Sequence, residues 1–276
     1  MITLSAFADE IGPDLKLQMD ACQAQGIACI DVRGIDNKNV STLSIKEVRQ
    51  YRKRMLDRGF SVPCIGSPIG KIRMDEDFGI HLELLRHCCD VAREFGTRNV
   101  RVFSFYPSKG ARIEDQRPAV FDRLAAMVEA ARTADVVLMH ENERAIYGAK
   151  PAAVLDLFGT IRSPHFKGVF DPGNFVEEGV APYDEAWKKG LDALTDYFHI
   201  KDKRPGDKTF VPAGQGSGQF DLIFADLKAR NWSGVMTLEP HMAAAGQFAG
   251  FTGPDLFAQA AGGLKALLDR AGLAYR

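Results

Sequence analysis

The apolar residues of this chain follow two alternating rhythms. Short dense runs at residues 3–8, 28–33, 61–67, 99–106, 136–141, 168–171, 197–201 and 234–239 have the length and composition of β-strands. Between them lie stretches with an apolar residue at every third or fourth position, which predicts helices over 13–25, 45–58, 81–95, 116–133, 150–161, 183–190, 222–230 and 254–271. Strand and helix alternate along the whole chain.

Runs such as "VRVFSF" and "DVVLM" are apolar on both faces, as a parallel sheet covered by helices requires. Local signals support the boundaries: Gly26 and Gly96 suit helix C-caps, Pro13 and Pro254 suit first helical turns, and Asp221 suits an N-cap. No linker or low-complexity stretch interrupts the alternation. The expectation is therefore one α/β domain over residues 1–276, a single (β/α)8 TIM barrel, for which this length is ordinary. An open doubly wound sheet is the competing architecture. It would need a glycine-rich phosphate turn after the first strand, and "FADEIGPD" lacks that fingerprint.

Charge narrows the partners. With 35 basic and 36 acidic residues and no basic stripe, nothing favours a polyanion, so no nucleic-acid partner is expected. No apolar run approaches membrane-span length, and because the strand-like Ile2 to Phe7 follows Met1 without a basic and then apolar region, no secretory signal is expected. The cysteines, Cys22, Cys29, Cys64, Cys88 and Cys89, are odd in number and lack a CxxC spacing, which suits reduced thiols in a cytoplasmic protein.

The chemistry concentrates at strand ends. Glu141, Asp171, His199 and Glu239 close four successive runs at intervals of 30, 28 and 40 residues, each about one βα unit. Singly each has an ordinary explanation: "HENE" can open a loop, Asp171 can start a turn with Pro172 and Gly173, and His199 can be a structural histidine. Their shared register is the signal. Side chains at the C-terminal ends of neighbouring barrel strands converge on the mouth, where three carboxylates and an imidazole would hold one divalent metal ion. Such an oxygen-rich set favours Mn2+ or Mg2+ and tolerates Zn2+ or Co2+.

The motifs "ENE" (141–143), "FDPGN" (170–174), "HIKD" (199–202), "GQGSGQFD" (214–221) and "LEPH" (238–241) resemble those of the xylose-isomerase-like TIM-barrel superfamily. Within it the likeness is greatest to the sugar phosphate isomerases/epimerases, which include hydroxypyruvate isomerases, ketose 3-epimerases and inosose dehydratases. The resemblance spans nearly the whole chain. It implies that Glu141, Asp171, His199 and Glu239 are metal ligands, that Glu141 and Glu239 also serve as the acid/base pair, and that the protein forms homodimers or homotetramers. Two departures stand out: relatives often carry an acid within the glycine loop where this chain has Gln215, and several ketose epimerases carry a histidine where it has Asn174.

A divalent ion that chelates the carbonyl and hydroxyl of an α-hydroxyketone stabilises the enediolate formed on loss of the α-proton. Return of that proton gives epimerisation or aldose/ketose isomerisation. Expulsion of a β-hydroxyl gives dehydration. The leading expectation is thus an isomerase or epimerase of a sugar, sugar phosphate or small hydroxy-ketone, with a polyol or keto-sugar as its partner. A dehydratase of the inosose or 3-dehydroshikimate type is the alternative. Substrate contacts are expected from Lys201, Arg204 and His241, which follow the seventh and eighth strands, and from Glu10, Arg33 and Ser67, which end the first three. "SPIGK" (67–71) and the glycine loop (214–218) could cradle phosphate, although a lid is the simpler reading. Endonuclease IV-type repair enzymes share the barrel but need more histidines than the six present. A silent sugar-binding protein would use the same residues without turnover.

Overall fold

The computed structural model describes residues 1–242 and 251–276. Its order is β1 (Ile2–Ala6), α1 (Leu15–Ala24), β2 (Gly34–Ile35), β3 (Lys38–Asn39), α2 (Ile45–Leu56), α3 (Phe78–Phe95), β4 (Asn99–Val102), α4 (Arg117–Ala134), β5 (Val137–Glu141), α5 (Pro151–Thr160), β6 (Phe166–Phe170), α6 (Pro172–Glu177), β7 (Thr195–Ile200), α7 (Phe220–Ala229), β8 (Gly234–Leu238) and α8 (Gly253–Ala271). Six strands form one curled parallel sheet in the order β1-β8-β7-β6-β5-β4, and β2 pairs only with β3 in a small hairpin.

The remaining two staves are extended segments rather than full strands. Asp31 N donates to Ala6 O at 2.9 Å, Ile30 N to Ser61 O at 3.0 Å, and Ile65 N to Asn99 O at 2.9 Å, so segments 28–33 and 61–67 span the gap between β1 and β4 and close the (β/α)8 barrel. Pro63 accounts for much of the irregularity, because it has no N–H for a ladder. Its carbonyl instead accepts from the Thr97 hydroxyl at 2.6 Å and the Asn99 amide at 3.0 Å.

Helix starts follow side-chain caps. Asp14, rather than Pro13, opens α1 by accepting from Leu17 N at 2.8 Å, and Asp77 starts α3 earlier than its apolar pattern suggests by accepting from Ile80 N at 3.1 Å. Asp221 is not an N-cap but lies in the first turn of α7, where a carboxylate faces the positive end of the helix. The helix expected over 183–190 breaks into short turns between Pro182 and Gly190, whose φ is 117°. Packing fixes those turns. Trp187 is fully buried against Phe170 and Phe198, and its ring N–H reaches Asp226 at 2.7 Å.

Side chains alternate across each strand. Outward residues such as Phe170, Phe198 and Met236 meet the helices in the main core, while Cys64, Met139, Val169 and Tyr197 fill part of the barrel interior. The rest of that interior is polar: Ser5, Asp31, Arg101, His199 and Thr237 are all buried. The reading of both strand faces as apolar is thereby corrected. A run such as "VRVFSF" hides its one arginine at an inward position, where it meets acids from other strands.

Candidate metal centre

A step of two residues keeps a side chain on the same face of a strand. It leads from Met139 to Glu141, from Val169 to Asp171, from Tyr197 to His199 and from Thr237 to Glu239, out of the barrel interior to its mouth. The four ligand atoms lie within 4.8 Å of one another, and all four residues are buried. His199 Nδ1 is 3.0 Å from Glu141 Oε1 and 3.5 Å from Glu239 Oε2.

The same polar atoms are short of hydrogen bonds. Glu141 Oε2, Asp171 Oδ2 and both nitrogens of His199 are buried with no hydrogen-bond partner among the described residues. Buried polar groups are nearly always satisfied, so atoms left with close polar neighbours but no hydrogen bond, as Asp171 Oδ2 is 3.0 Å from Lys201 Nζ, fit a site that a cation would complete. Charge leads to the same conclusion. Around the centre Asp9, Glu10, Glu141, Asp171 and Glu239 face the permanent cations Arg33, Arg101 and Lys201, so five acids exceed three bases by two. The centre thus carries an excess of acid that a bound cation would offset.

Neighbouring residues hold the ligands in place. Asp171 is the N-cap of α6, accepting from Asn174 N at 2.9 Å, so the "DPG" expected to form a turn opens a short helix. The Asn142 side chain accepts from Asp171 N and donates to Asp171 O, both at 2.9 Å, and so continues the β5–β6 ladder past the strand ends. Asn174 donates to Glu141 Oε1 at 3.2 Å. Arg33 reaches Glu239 Oε1 at 2.9 Å, Asp9 at 2.8 Å and Glu10 at 3.3 Å. Arg101, stacked by Phe7 and Phe103, lies 3.4 Å from Glu141 and 3.9 Å from Glu239.

These surroundings split the acids. Burial pushes the Asp171 carboxyl well above its usual range; Lys201 opposes that shift, and the like charges of Glu141 and Glu239 reinforce it. Burial also opposes ionisation of Glu239 and Glu141 but is outweighed: Lys201 and the hydrogen bond from His241 hold Glu239 well below the ordinary range, and the His199 imidazole and the Arg101 guanidinium hold Glu141 below it. Burial alone would lower the Lys201 ammonium, yet Asp171, Glu239 and Glu141 raise it well above normal.

Of the expected substrate contacts, Arg33, Glu10, Lys201 and His241 gather at the centre. His241 is 39% exposed at the rim, 3.1 Å from both Glu10 and Glu239. Two do not join them. Arg204 is exposed and donates to the Gln215 carbonyl at 3.0 Å, while Ser67 is buried with its hydroxyl donating to the Arg101 carbonyl. Neither loop considered for phosphate keeps its N–H groups free. Gly214 N and Gly216 N each donate to Asp202 Oδ2 at 2.9 Å, and Gly218 N donates to Asp202 Oδ1 at 2.8 Å. Gly70 N donates to His81 at 2.7 Å. Sequence reasoning missed Arg101, Asp9 and Asp202; the only trace of Arg101 was a charge inside an apolar run.

The family model described as xylose isomerase-like TIM barrel matches residues 19–267. The chain belongs to that family. A search of curated proteins finds no match. Among solved structures, the probable 3-DHS dehydratase AsbF of Bacillus anthracis aligns with TM-score 0.76 and 16% identity over 96% of this chain and 99% of that one. A D-tagatose 3-epimerase-like protein aligns with TM-score 0.75 and 18% identity over 98% of both chains. The IOLI protein, with a bound zinc atom, aligns with TM-score 0.74 and 16% identity over 98% of this chain and 99% of that one. At such identities the likeness establishes the xylose isomerase-like fold alone. Among the described residues of this barrel no helix is long and apolar enough to cross a membrane.

Proposed function

We propose that this protein is a divalent-metal-dependent isomerase or epimerase of a sugar or small hydroxy-ketone. The observation that carries the reading is the convergence of Glu141, Asp171, His199 and Glu239 at the barrel mouth, with atoms able to hold an ion within 4.8 Å of one another and a buried atom without a hydrogen bond on each of Glu141, Asp171 and His199. Those four residues would hold the ion. When bound, it polarises a substrate carbonyl and offsets the charge of the enediolate.

The remaining chemistry belongs to the side chains. Glu141 and Glu239, both held ionised by their neighbours, are the bases available to take the α-proton, and whichever is protonated returns it. The Lys201 ammonium offers a hydrogen bond to a developing oxyanion. Half-exposed His241 reaches a substrate hydroxyl at the rim while staying braced against Glu10. The Phe7 ring packs edge-to-face with the His199 imidazole, 4.9 Å between ring centres, and so braces it.

A dehydratase reading shares these steps and is favoured by one feature. The Lys201 ammonium, within 3.9 Å of three carboxylates at the centre, would hydrogen-bond a departing hydroxyl and offset its charge. Incubation of the Mn2+-loaded protein in D2O with ketoses, inososes and hydroxypyruvate discriminates. Deuterium in recovered or isomerised substrate supports the isomerase or epimerase; a dehydrated enone or diketone supports the lyase. Neither deuterium uptake nor a dehydrated product across the panel, with Mn2+ demonstrably bound, rejects both.

A further inference from the structure

The ligand centre already contains a cation from the chain itself. Lys201 Nζ lies 3.0 Å from Asp171 Oδ2, 3.2 Å from Glu239 Oε2 and 3.9 Å from Glu141 Oε1, touching three of the four ligand residues. Two of those oxygens, Asp171 Oδ2 and Glu239 Oε2, have no other cation as near. The side chain is 3% exposed, and its reach into the centre depends on Gly173. A Cβ at residue 173 would lie 2.7 Å from Lys201 Cγ and 2.8 Å from Lys201 O. The glycine of "FDPGN" thus makes room for the lysine stem.

An ammonium and a divalent ion cannot share this position. A carboxylate oxygen holds a small divalent ion at about 2.1 Å, so an ammonium 3.0 Å from that oxygen would stand within about 5 Å of the ion, in a buried site where like charges are poorly screened. We propose, on the reading that the four residues bind a metal, that Lys201 is an internal counter-ion of the metal-free centre which an entering divalent cation must displace. The displaced ammonium has somewhere to go. The Phe210 ring centre is 5.8 Å from Nζ, and Glu143, bridged to Lys71 at 2.8 Å, is a further negative charge acting on the ammonium. Arg33 stays on Glu239 Oε1, so the departure of Lys201 frees Oε2 without leaving Glu239 unpaired. In the metal-free protein Lys201 ties up one of the two carboxylates proposed for proton transfer; loading the ion releases that carboxylate and turns the ammonium toward the substrate.

Mn2+ titration, by calorimetry and by loss of the free-ion spin-resonance signal, tests the competition in the wild type and in Lys201→Met. The variant removes the competitor and should bind Mn2+ at least about tenfold more tightly, with a larger rise in melting temperature on loading. Equal or weaker binding by a folded Lys201→Met protein overturns the proposal while leaving the metal site standing. If the wild type binds no Mn2+, the functional reading fails as well. A wild-type crystal soaked in Mg2+ is independent of how the variant folds: Nζ out of reach of Asp171 and Glu239 supports displacement, and Nζ still bound to both beside a coordinated ion refutes it.

Discussion

Two groups of buried carboxylates share this barrel and differ in what faces them. Asp31, deep in the interior, accepts from Ser5 at 2.8 Å, from Tyr197 at 2.7 Å and 2.9 Å, and from Thr237 at 2.9 Å; Asp202 accepts from four backbone N–H groups, those of Lys203, Gly214, Gly216 and Gly218. Every oxygen of these two is satisfied. At the mouth, Glu141 and Asp171 keep an oxygen without a hydrogen bond, and their neighbours are other acids and cations. A carboxylate whose bonds are complete serves the fold, whereas orphaned carboxylates gathered at one point await a ligand. His140 sharpens the rule. Its Nδ1 is also an orphan, but it faces outward among Phe158 and Phe166 with no second orphan beside it.

The largest expected effect lies at the mouth. Glu239→Gln should lower turnover by about 10^3-fold while the far-ultraviolet circular dichroism stays native, because the proton acceptor is lost and the packing volume is kept. Turnover within a factor of a few of wild type would remove Glu239 from the chemistry. Asp31→Ala should show the reverse pattern: it strands three hydroxyls in the interior and costs about 3 kcal/mol in urea unfolding, with Mn2+ affinity of the folded protein nearly unchanged. A folded Asp31→Ala protein unable to bind Mn2+ would collapse the distinction between the two groups.

His140 supplies a pH test. Burial lowers its pKa from 6.5 to about 4, so in the folded state it stays neutral while the unfolded chain takes up a proton. The unfolded state binds more protons in that window, and stability must therefore rise with pH through it. Roughly 3 kcal/mol should be lost as pH falls from about 6.5 to about 4, and His140→Leu should flatten that part of the stability profile. The smallest effect is expected at Asp202→Asn, about 2 kcal/mol, because an amide places N–H groups against N–H groups. Hydrogen exchange should quicken at Gly214, Gly216 and Gly218; unchanged protection there would show that the loop does not depend on the carboxylate.

Legibility followed the range of the forces involved. Strand and helix order could be read because the two periodicities are local properties of each segment. Segments 28–33 and 61–67 were placed correctly but read as regular strands, since nothing local shows that Pro63 spends its carbonyl on Thr97 and Asn99. At the mouth, Glu141, Asp171, His199 and Glu239 could be found because each ends an apolar run. Arg204 was expected there for its position after β7, yet its guanidinium turns back to Gln215. The glycine loop could suggest an anion cradle, but only the folded chain shows that Asp202 is the anion.

The sequence by itself determined the alternation of strands and helices, the parallel barrel and the four residues that meet at its mouth, because strand polarity and the inward direction of every second side chain follow from the backbone. Only the tertiary structure decided their charge environment: Arg33 with Glu239, and Asp31 with Thr237, each join residues 206 positions apart. Local patterning carries no record of such pairs. They arise when the closed ring brings the second stave across from the eighth, and burial then makes each partner's charge count.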